Sequence, residues 1–389
     1  MTRGDKRIVH LTTVHDARDP RIVRKELRTL DKAGYDAHLM APAAPSQVAD
    51  GVSGTPLPDV EGRLRRLLAQ RSVYRRAKAL AADCYHFHDP ELIPLGFLLK
   101  RATGARMIYD MHEDYRWHGP IQGRCIRALE RWCFRWVDHV VVANAAHIEI
   151  TDASDVPTTR IANYYKPAPD VQEPSCVPDP EPRTLPAEGP IRPIYTGVMS
   201  DRRGRGLSML VNLAHRAKQS DLDLRLQLVG VCYVNRIRRR VNRRIRRDGL
   251  DAVVHRVGWE AYVPWPRLAR HYTDAHVGLV LGTDHPNQTQ KIPTKFYEYL
   301  QFGLPILCSD FPEWRRFVEA HDCGRVVPPG DVQAALEVLR EWRAHPKQYR
   351  ARSAAALRAA PRYRWKSEGR RLVKLYDRLL SKHQGAPTE

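Results

Sequence analysis

Two hydrophobic periods take turns along this chain. Short apolar runs read as buried strands. Between them apolar residues recur every three or four positions, the spacing of a helix buried on one face. In the first half the pattern predicts strands at Ile8–Thr13, Ala37–Met40, Cys84–Phe87, Arg106–Tyr109 and His139–Val142. It predicts helices at Pro20–Ala33 (with Ile22, Leu27 and Leu30 inward), about 61–82, Glu91–Arg101 and Gly123–Trp136. Such alternation implies a parallel sheet covered by helices on both faces. The pattern then lapses, and prolines from Pro167 to Pro193 crowd a stretch with few large apolar residues, expected to be a semi-rigid linker. Beyond it strands are predicted at Ile194–Thr196, Leu224–Val229, Val253–Val257, Val277–Leu281, Ile306–Cys308 and Arg325–Val327, with helices between. A last helix, Tyr363–Ser381, carries Trp365, Leu372, Leu375, Tyr376 and Leu379. The fold expected is α/β: two doubly wound, Rossmann-like domains, 1–168 and 191–362, flanking a linker at 169–190 and facing each other across a cleft.

Composition supports two real cores, because 389 residues exceed one typical domain and 43% of them are hydrophobic. No apolar run approaches the roughly 18 residues of a membrane span, and the first residues form no apolar leader, so the cytoplasm is the expected compartment. Seven scattered cysteines without a C-x-x-C pair fit free thiols, and no Cys/His spacing calls for a metal. The net charge of +20 asks for an anionic partner. Much of it lies on two predicted helices, 63–78 and 235–247. In the second, Ile237, Val241 and Ile245 form a narrow seam expected to face the core, with the arginines outside. An anionic membrane surface, with the protein peripheral on the inner face, competes here with a plain solvated arginine coat. Nucleic acid is set aside, since no helix-turn-helix, zinc finger or aromatic RNA motif accompanies the charge.

Chemistry in such domains gathers in the loops after the strands. The first half places His15-Asp16-Ala17-Arg18-Asp19-Pro20-Arg21, His86-Phe87-His88-Asp89-Pro90-Glu91 and Asp110-Met111-His112-Glu113 there. The second half offers Gly197-Val198-Met199-Ser200-Asp201-Arg202-Arg203-Gly204-Arg205-Gly206, a basic, glycine-rich turn able to cradle a diphosphate. It is neither a G-x-G-x-x-G fingerprint nor a P-loop. Further on, Pro293 and Thr294 suit a helix start and Gly303 with Pro305 a helix stop. Lys295 and Glu298, three apart, share a face of that helix. A cation and a carboxylate there suit a phosphate and ribose hydroxyls respectively.

These pieces, in this order, resemble the retaining glycosyltransferases of the GT-B fold, the large group that includes bacterial polysaccharide and lipid glycosyltransferases. The pieces that carry the resemblance are Asp19-Pro20-Arg21-Ile22, His88-Asp89-Pro90-Glu91-Leu92, Asp110-Met111-His112-Glu113, Arg205-Gly206-Leu207, and Pro293-x-Lys295-x-x-Glu298-Tyr299-Leu300 with Gly303-x-Pro305. The resemblance implies transfer of a sugar from a nucleoside-diphosphate sugar, UDP before GDP, to a hydroxyl of a glycan, lipid-linked or small-molecule acceptor, without metal or cofactor. It implies that His112, Lys295 and Arg205 serve the reaction. Glu298, Gln290, Gly197, Arg203, Thr294 and Tyr299 would hold the donor, with Arg203 alternative to Arg205 on the diphosphate. His15, Asp16, Arg21, His88, Asp89 and Glu113 would lie on the acceptor side. It also implies that the last helix, within 363–389, crosses back to the first domain. The chain departs from the family's pattern at Gln290, where a glutamate is usual, at Val198, where an arginine is usual, and from Leu11 to Ala33, which hold no glycine. A nucleotide-sugar epimerase of the same fold, or a non-catalytic binding protein, therefore stays open.

Overall fold

The computed structural model describes residues 3–58, 63–111, 120–152, 154–167, 181–201, 204–285 and 289–381, with backbone alone at 63–68 and 120. The chain folds into two compact units, Met1–Lys166 with Trp365–Glu389, and Pro167–Arg364.

The first unit is built on a sheet of β1 (Arg7–Leu11), β2 (Asp36–Pro42), β3 (Gln47–Ala49), β4 (Val52–Leu57), β5 (Cys84–Phe87), β6 (Arg106–Met111), β7 (His139–Val142) and β8 (Thr158–Arg160). Their order is β3-β4-β2-β1-β5-β6-β7-β8, parallel but for β3 against β4. The central strands are almost wholly buried, because helices cover both faces, and they carry His10, His86 and Asp110 inside along with their apolar residues. Chain order reverses between β1 and β5, which creates a crevice beyond their C-terminal ends. Strand β1 stops at Leu11 rather than running to Thr13. The Thr12 hydroxyl and the Thr13 N–H instead donate to Asp89 Oδ2 beyond β5, at 2.8 and 2.7 Å. The predicted helix at Pro20–Ala33 winds in two ways, as a π-helix over Pro20–Leu27 and an α-helix over Arg28–Lys32. Asp19 caps it, Oδ1 accepting from the N–H of Arg21 and Ile22. Ile22, Leu27 and Leu30 face inward. The last helix, Trp365–Ser381, packs against them through Trp365, Leu372, Leu375, Tyr376 and Leu380, so it belongs to the first unit.

The second unit has a wholly parallel sheet, β11-β10-β9-β12-β13-β14. The strands are β9 (Pro193–Thr196), β10 (Leu226–Val229), β11 (Val254–Val257), β12 (Val277–Val280), β13 (Ile306–Ser309) and β14 (Gly324–Val327). Its order reverses between β9 and β12. Of the proline-rich stretch, residues 168–180 lie outside the described residues, whereas 181–190 are fastened to this unit. Arg183 donates to the carbonyls of Phe302, Thr273, Ala275 and Tyr272, and its N–H to Ser353 Oγ. In the basic helix Asn235–Arg247, Val241 and Ile245 are buried and Ile237 packs beside them. Among the described residues no helix is long and apolar enough to cross a membrane.

Candidate functional site

In the second unit the sheet's switch point brings two distant segments together. The turn after β9 begins at Gly197, whose N–H donates to Val229 O, and continues through Met199, whose N–H donates to Val231 O. The turn closes on the loop after β12: the Thr283 N–H donates to Gly204 O. Gly206 has φ +71°, and a Cβ there would lie 1.8 Å from Leu281 O, so only glycine allows this approach. The helix Thr294–Gln301 follows β12, with Pro293 as its N-cap residue. Tyr299, expected to touch the donor, is instead a core post. It is fully buried, its hydroxyl between Ile194 O at 3.1 Å and Leu279 O at 3.2 Å, and Gly278 leaves room for its ring. That post fixes the helix against β9 and β12 and so fixes Lys295 and Glu298 one face over.

Lys295 Nζ lies 3.6 Å from the Tyr195 ring centroid and 3.7 Å from where a Cβ on Gly197 would sit. Burial and the nearby Arg205 push its pKa well below that of an ordinary lysine, against the pull of Glu298. Glu298 is half-buried and accepts a hydrogen bond of 2.5 Å from the Tyr272 hydroxyl on Oε2. Thr294 and Gln290 are exposed at the helix start and in the turn before it. Gly197, Lys295, Arg205 and Glu298 thus ring one end of the β9–β12 crevice: two cations beside a glycine turn, then a carboxylate one helical turn on. Arg203 lies outside the described residues. Tyr195, Thr196 and Tyr272 were missed from the sequence, because an aromatic or a threonine at a strand or helix end looks like any core residue.

In the first unit His112 and Glu113 lie outside the described residues. The other expected residues divide into two groups. His15 is half-buried and Asp16 exposed: His15 Nδ1 lies 3.0 Å from Asp19 Oδ2, and Asp16 pairs with Arg18. Burial alone would lower the His15 pKa, but Asp19, Asp89 and Asp110 outweigh it and hold the imidazole above its usual range. Arg21, His88 and Asp89 are sealed inside, contrary to the expectation of an acceptor-facing row. Arg21 forks onto Asp110 (Nη2–Oδ2 2.9 Å), reaches Glu26 Oε1 at 3.0 Å and donates to Ile161 O. His88 Nε2 lies 3.0 Å from His10 Nδ1, and Tyr376 OH lies 3.1 Å from His10 Nε2 and 2.7 Å from His86 Nδ1. These contacts brace the loops after β1, β5 and β6 against one another.

Glu26, His86, His88 and Asp110 offer ligand atoms within 4.8 Å of one another, a set that by type could take a divalent cation. The fit fails on charge. The Arg21 guanidinium already occupies both carboxylates, and burial pushes the Glu26 carboxyl well up, against the pull of Arg21, towards its neutral, non-ligating form.

Two family models and several solved structures match the chain. Residues 21–163 match the family model for a glycosyl transferase 4-like domain, and residues 191–343 that for glycosyl transferases group 1. No curated protein matches the sequence. Among solved structures, sucrose-phosphate synthase from Thermosynechococcus elongatus superposes with a TM-score of 0.76 at 17% identity, over 97% of this chain and 100% of that one. Anabaena Alr3699/HepE in complex with UDP-glucose gives 0.71 at 12% identity, over 95% and 99%. A trehalose-6-phosphate protein from E. coli bound with UDP-2-fluoro glucose gives 0.68 at 11% identity, over 98% and 100%. At such identities the structural likenesses speak for the fold.

Proposed function

Taking as premise that the chain is a glycosyltransferase of the GT-B fold, as its two matched domains make it, we propose that it moves a sugar from a nucleoside-diphosphate sugar to an acceptor hydroxyl with retention of configuration. The observation that carries the donor assignment is the juxtaposition of the Gly197 turn, the Lys295 ammonium and the Glu298 carboxylate at the β9–β12 switch point. Lys295 and Arg205 stabilise the leaving diphosphate, which gathers negative charge as the C1–O bond breaks. Glu298 accepts hydrogen bonds from the ribose hydroxyls. In the retaining step the acceptor oxygen bonds to C1 on the face the diphosphate leaves, the bonding pair departs with the diphosphate, and a phosphate oxygen takes the acceptor's proton. Such a step needs no protein base, which suits a site of cations and hydroxyl-binding groups. UDP is the favoured nucleotide and GDP the next, since two structural neighbours are bound to UDP-sugars.

We also propose that the protein works in the cytoplasm at an anionic membrane surface, on a lipid-linked or other glycan acceptor. On the helix Asn235–Arg247 the arginines at 236, 239, 243 and 246 are exposed, whereas Arg238, Arg240 and Arg244 pair with Glu260, Asp201 and Asp248.

Thermal unfolding with UDP, GDP, dTDP and NAD in separate samples tests the donor site. A nucleotide at a hundred times its dissociation constant adds about 2.7 kcal/mol, so one nucleoside diphosphate is expected to raise Tm and NAD is not. Glu298→Ala is expected to remove that rise and cut transfer by roughly tenfold or more while the protein stays folded. Full transfer by that variant overturns the assignment. Conversion of the sugar nucleotide without any acceptor identifies an epimerase instead.

A further inference from the structure

Glu298 does not stand alone. Tyr272, at the end of the helix Trp265–Asp274, is fully buried, and its hydroxyl touches two groups: Glu298 Oε2 at 2.5 Å and Thr196 Oγ1 at 3.0 Å. The direction of this chain is fixed by proton count. An ionised carboxylate can only accept, so the single Tyr272 proton goes to Glu298. The Thr196 hydroxyl then donates to the Tyr272 oxygen. We propose that Thr196→Tyr272→Glu298 is a positioning relay that occupies one carboxylate oxygen and aims the other at the donor's ribose, making Tyr272 and Thr196 determinants of ribose recognition. The proposal rests on the donor-site reading above and adds to it the residues that set the carboxylate's orientation.

Three features favour a built device over incidental packing. The Tyr272 ring is clamped, with Tyr299 edge-on at 5.8 Å and 82° and Phe302 at 4.9 Å, so the hydroxyl cannot swing away. Burial first, and then the charge of Glu298, raise the Tyr272 pKa well above its usual value, which keeps the phenol a donor at any working pH. Glu298 makes no other hydrogen bond among the described residues, which leaves Oε1 available. A carboxylate on an exposed helix face normally rotates among several rotamers. Locking one oxygen removes that freedom before the nucleotide arrives, so less ordering is left to oppose binding. Thr196 ends β9, immediately before the Gly197 turn. The same strand end therefore sets both the diphosphate turn and the ribose carboxylate, and holds their spacing.

The test is calorimetric binding of UDP and of 2′,3′-dideoxy-UDP, with GDP and its dideoxy form as a parallel pair, to the wild type, Tyr272→Phe, Thr196→Val and Glu298→Gln. The wild type is expected to prefer the ribose form by roughly ten- to hundredfold. Tyr272→Phe keeps the ring and is expected to lose most of that preference by weakening the ribose form alone. Thr196→Val, which leaves the ring untouched, is expected to lose a smaller part, and Thr196→Ser to restore it. A purely structural role would weaken both nucleotides equally, and that result overturns the relay. So does an unchanged preference in Tyr272→Phe when Glu298→Gln abolishes it. If the wild type shows no preference at all, it is the ribose role of Glu298 that fails, and the relay falls with it. Tm of each variant confirms folding, and Thr196→Val carries the test if Tyr272→Phe does not fold.

Discussion

Lys295 is a cation held where a cation is costly. Its ammonium lies against the Tyr195 face, which favours charge, but no carboxylate comes within ion-pair distance among the described residues, and Arg205 repels it. Its folded pKa therefore falls well below the roughly 10.4 of a free lysine. Between those two values the unfolded chain holds more protons than the folded one. This group's contribution to stability therefore rises with pH across that window and is unfavourable below it. A bound diphosphate reverses the balance by giving the ammonium a partner. Nucleotide binding is thus expected to take up close to one proton above the lowered pKa, and affinity is expected to fall as pH rises through it. Calorimetry in buffers of different ionisation enthalpy measures the uptake directly. It is expected in the wild type and absent from Lys295→Met, and equal uptake in both proteins removes Lys295 from the diphosphate.

The elements show why the sequence was readable in some places and silent in others. Strands β5, β7 and β13 are short apolar runs because parallel strands are buried on both faces, and such runs announce themselves. Strands β3, β4 and β8 lie at or next to the edges and mix Gln, Ser, Gly, Thr, Pro and Arg, so no run marks them. The helix carrying Lys295 and Glu298 was legible from its start and stop residues, which local geometry dictates. Tyr272 and Thr196 were not, because only the sheet order brings those segments together. Nor was the burial of Arg21 and His88, since loop residues that brace one another read like loop residues that bind. The helix Asn235–Arg247 sits between these cases. Its seam of Val241 and Ile245 reads from helical spacing, whereas which arginines find partners is set by where Asp201, Asp248 and Glu260 fall. Arginines 236, 239, 243 and 246 recur at three- and four-residue steps on one exposed face, where like charges oppose the helix unless an anion meets them. At about 1 kcal/mol per basic residue near an anionic bilayer, replacing all four by glutamine is expected to abolish sedimentation with phosphatidylglycerol vesicles. Binding to neutral vesicles is expected to be absent throughout. Equal sedimentation of the variant and the wild type would place the contact elsewhere.

At the scale of the molecule, the chain leaves the first unit after Lys166 and re-enters it at Trp365. The returning helix completes that unit's core and does not merely decorate it. Trp365, Leu372, Leu375, Tyr376 and Leu380 are buried against the Pro20–Lys32 segment and β1. Polar ties match them: Trp365 Nε1 donates to Thr29 Oγ1 at 2.9 Å, Glu368 Oε2 accepts from the Ala162 N–H at 2.8 Å, and Asp377 accepts from both Arg3 and Tyr35. Each large side chain contributes about 1.5–3 kcal/mol on burial, an upper figure because the unfolded chain already hides some surface. Five of them together rival the roughly 5–15 kcal/mol that holds a whole domain. Removal also opens the buried network, because the Tyr376 hydroxyl sits between His10 and His86. Ending the chain at Arg364 is therefore expected to unfold the first unit while the second, with its own sheet and core, still binds nucleotide. Hydrogen exchange would show fast exchange in β1, β5 and β6 and protected amides in β9, β12 and β13, with the nucleotide-dependent rise in Tm retained and transfer lost. Protection of β1 equal to that of the full chain would mean that the first core closes without its last helix, and that the fold of each unit is set by its contiguous sequence alone.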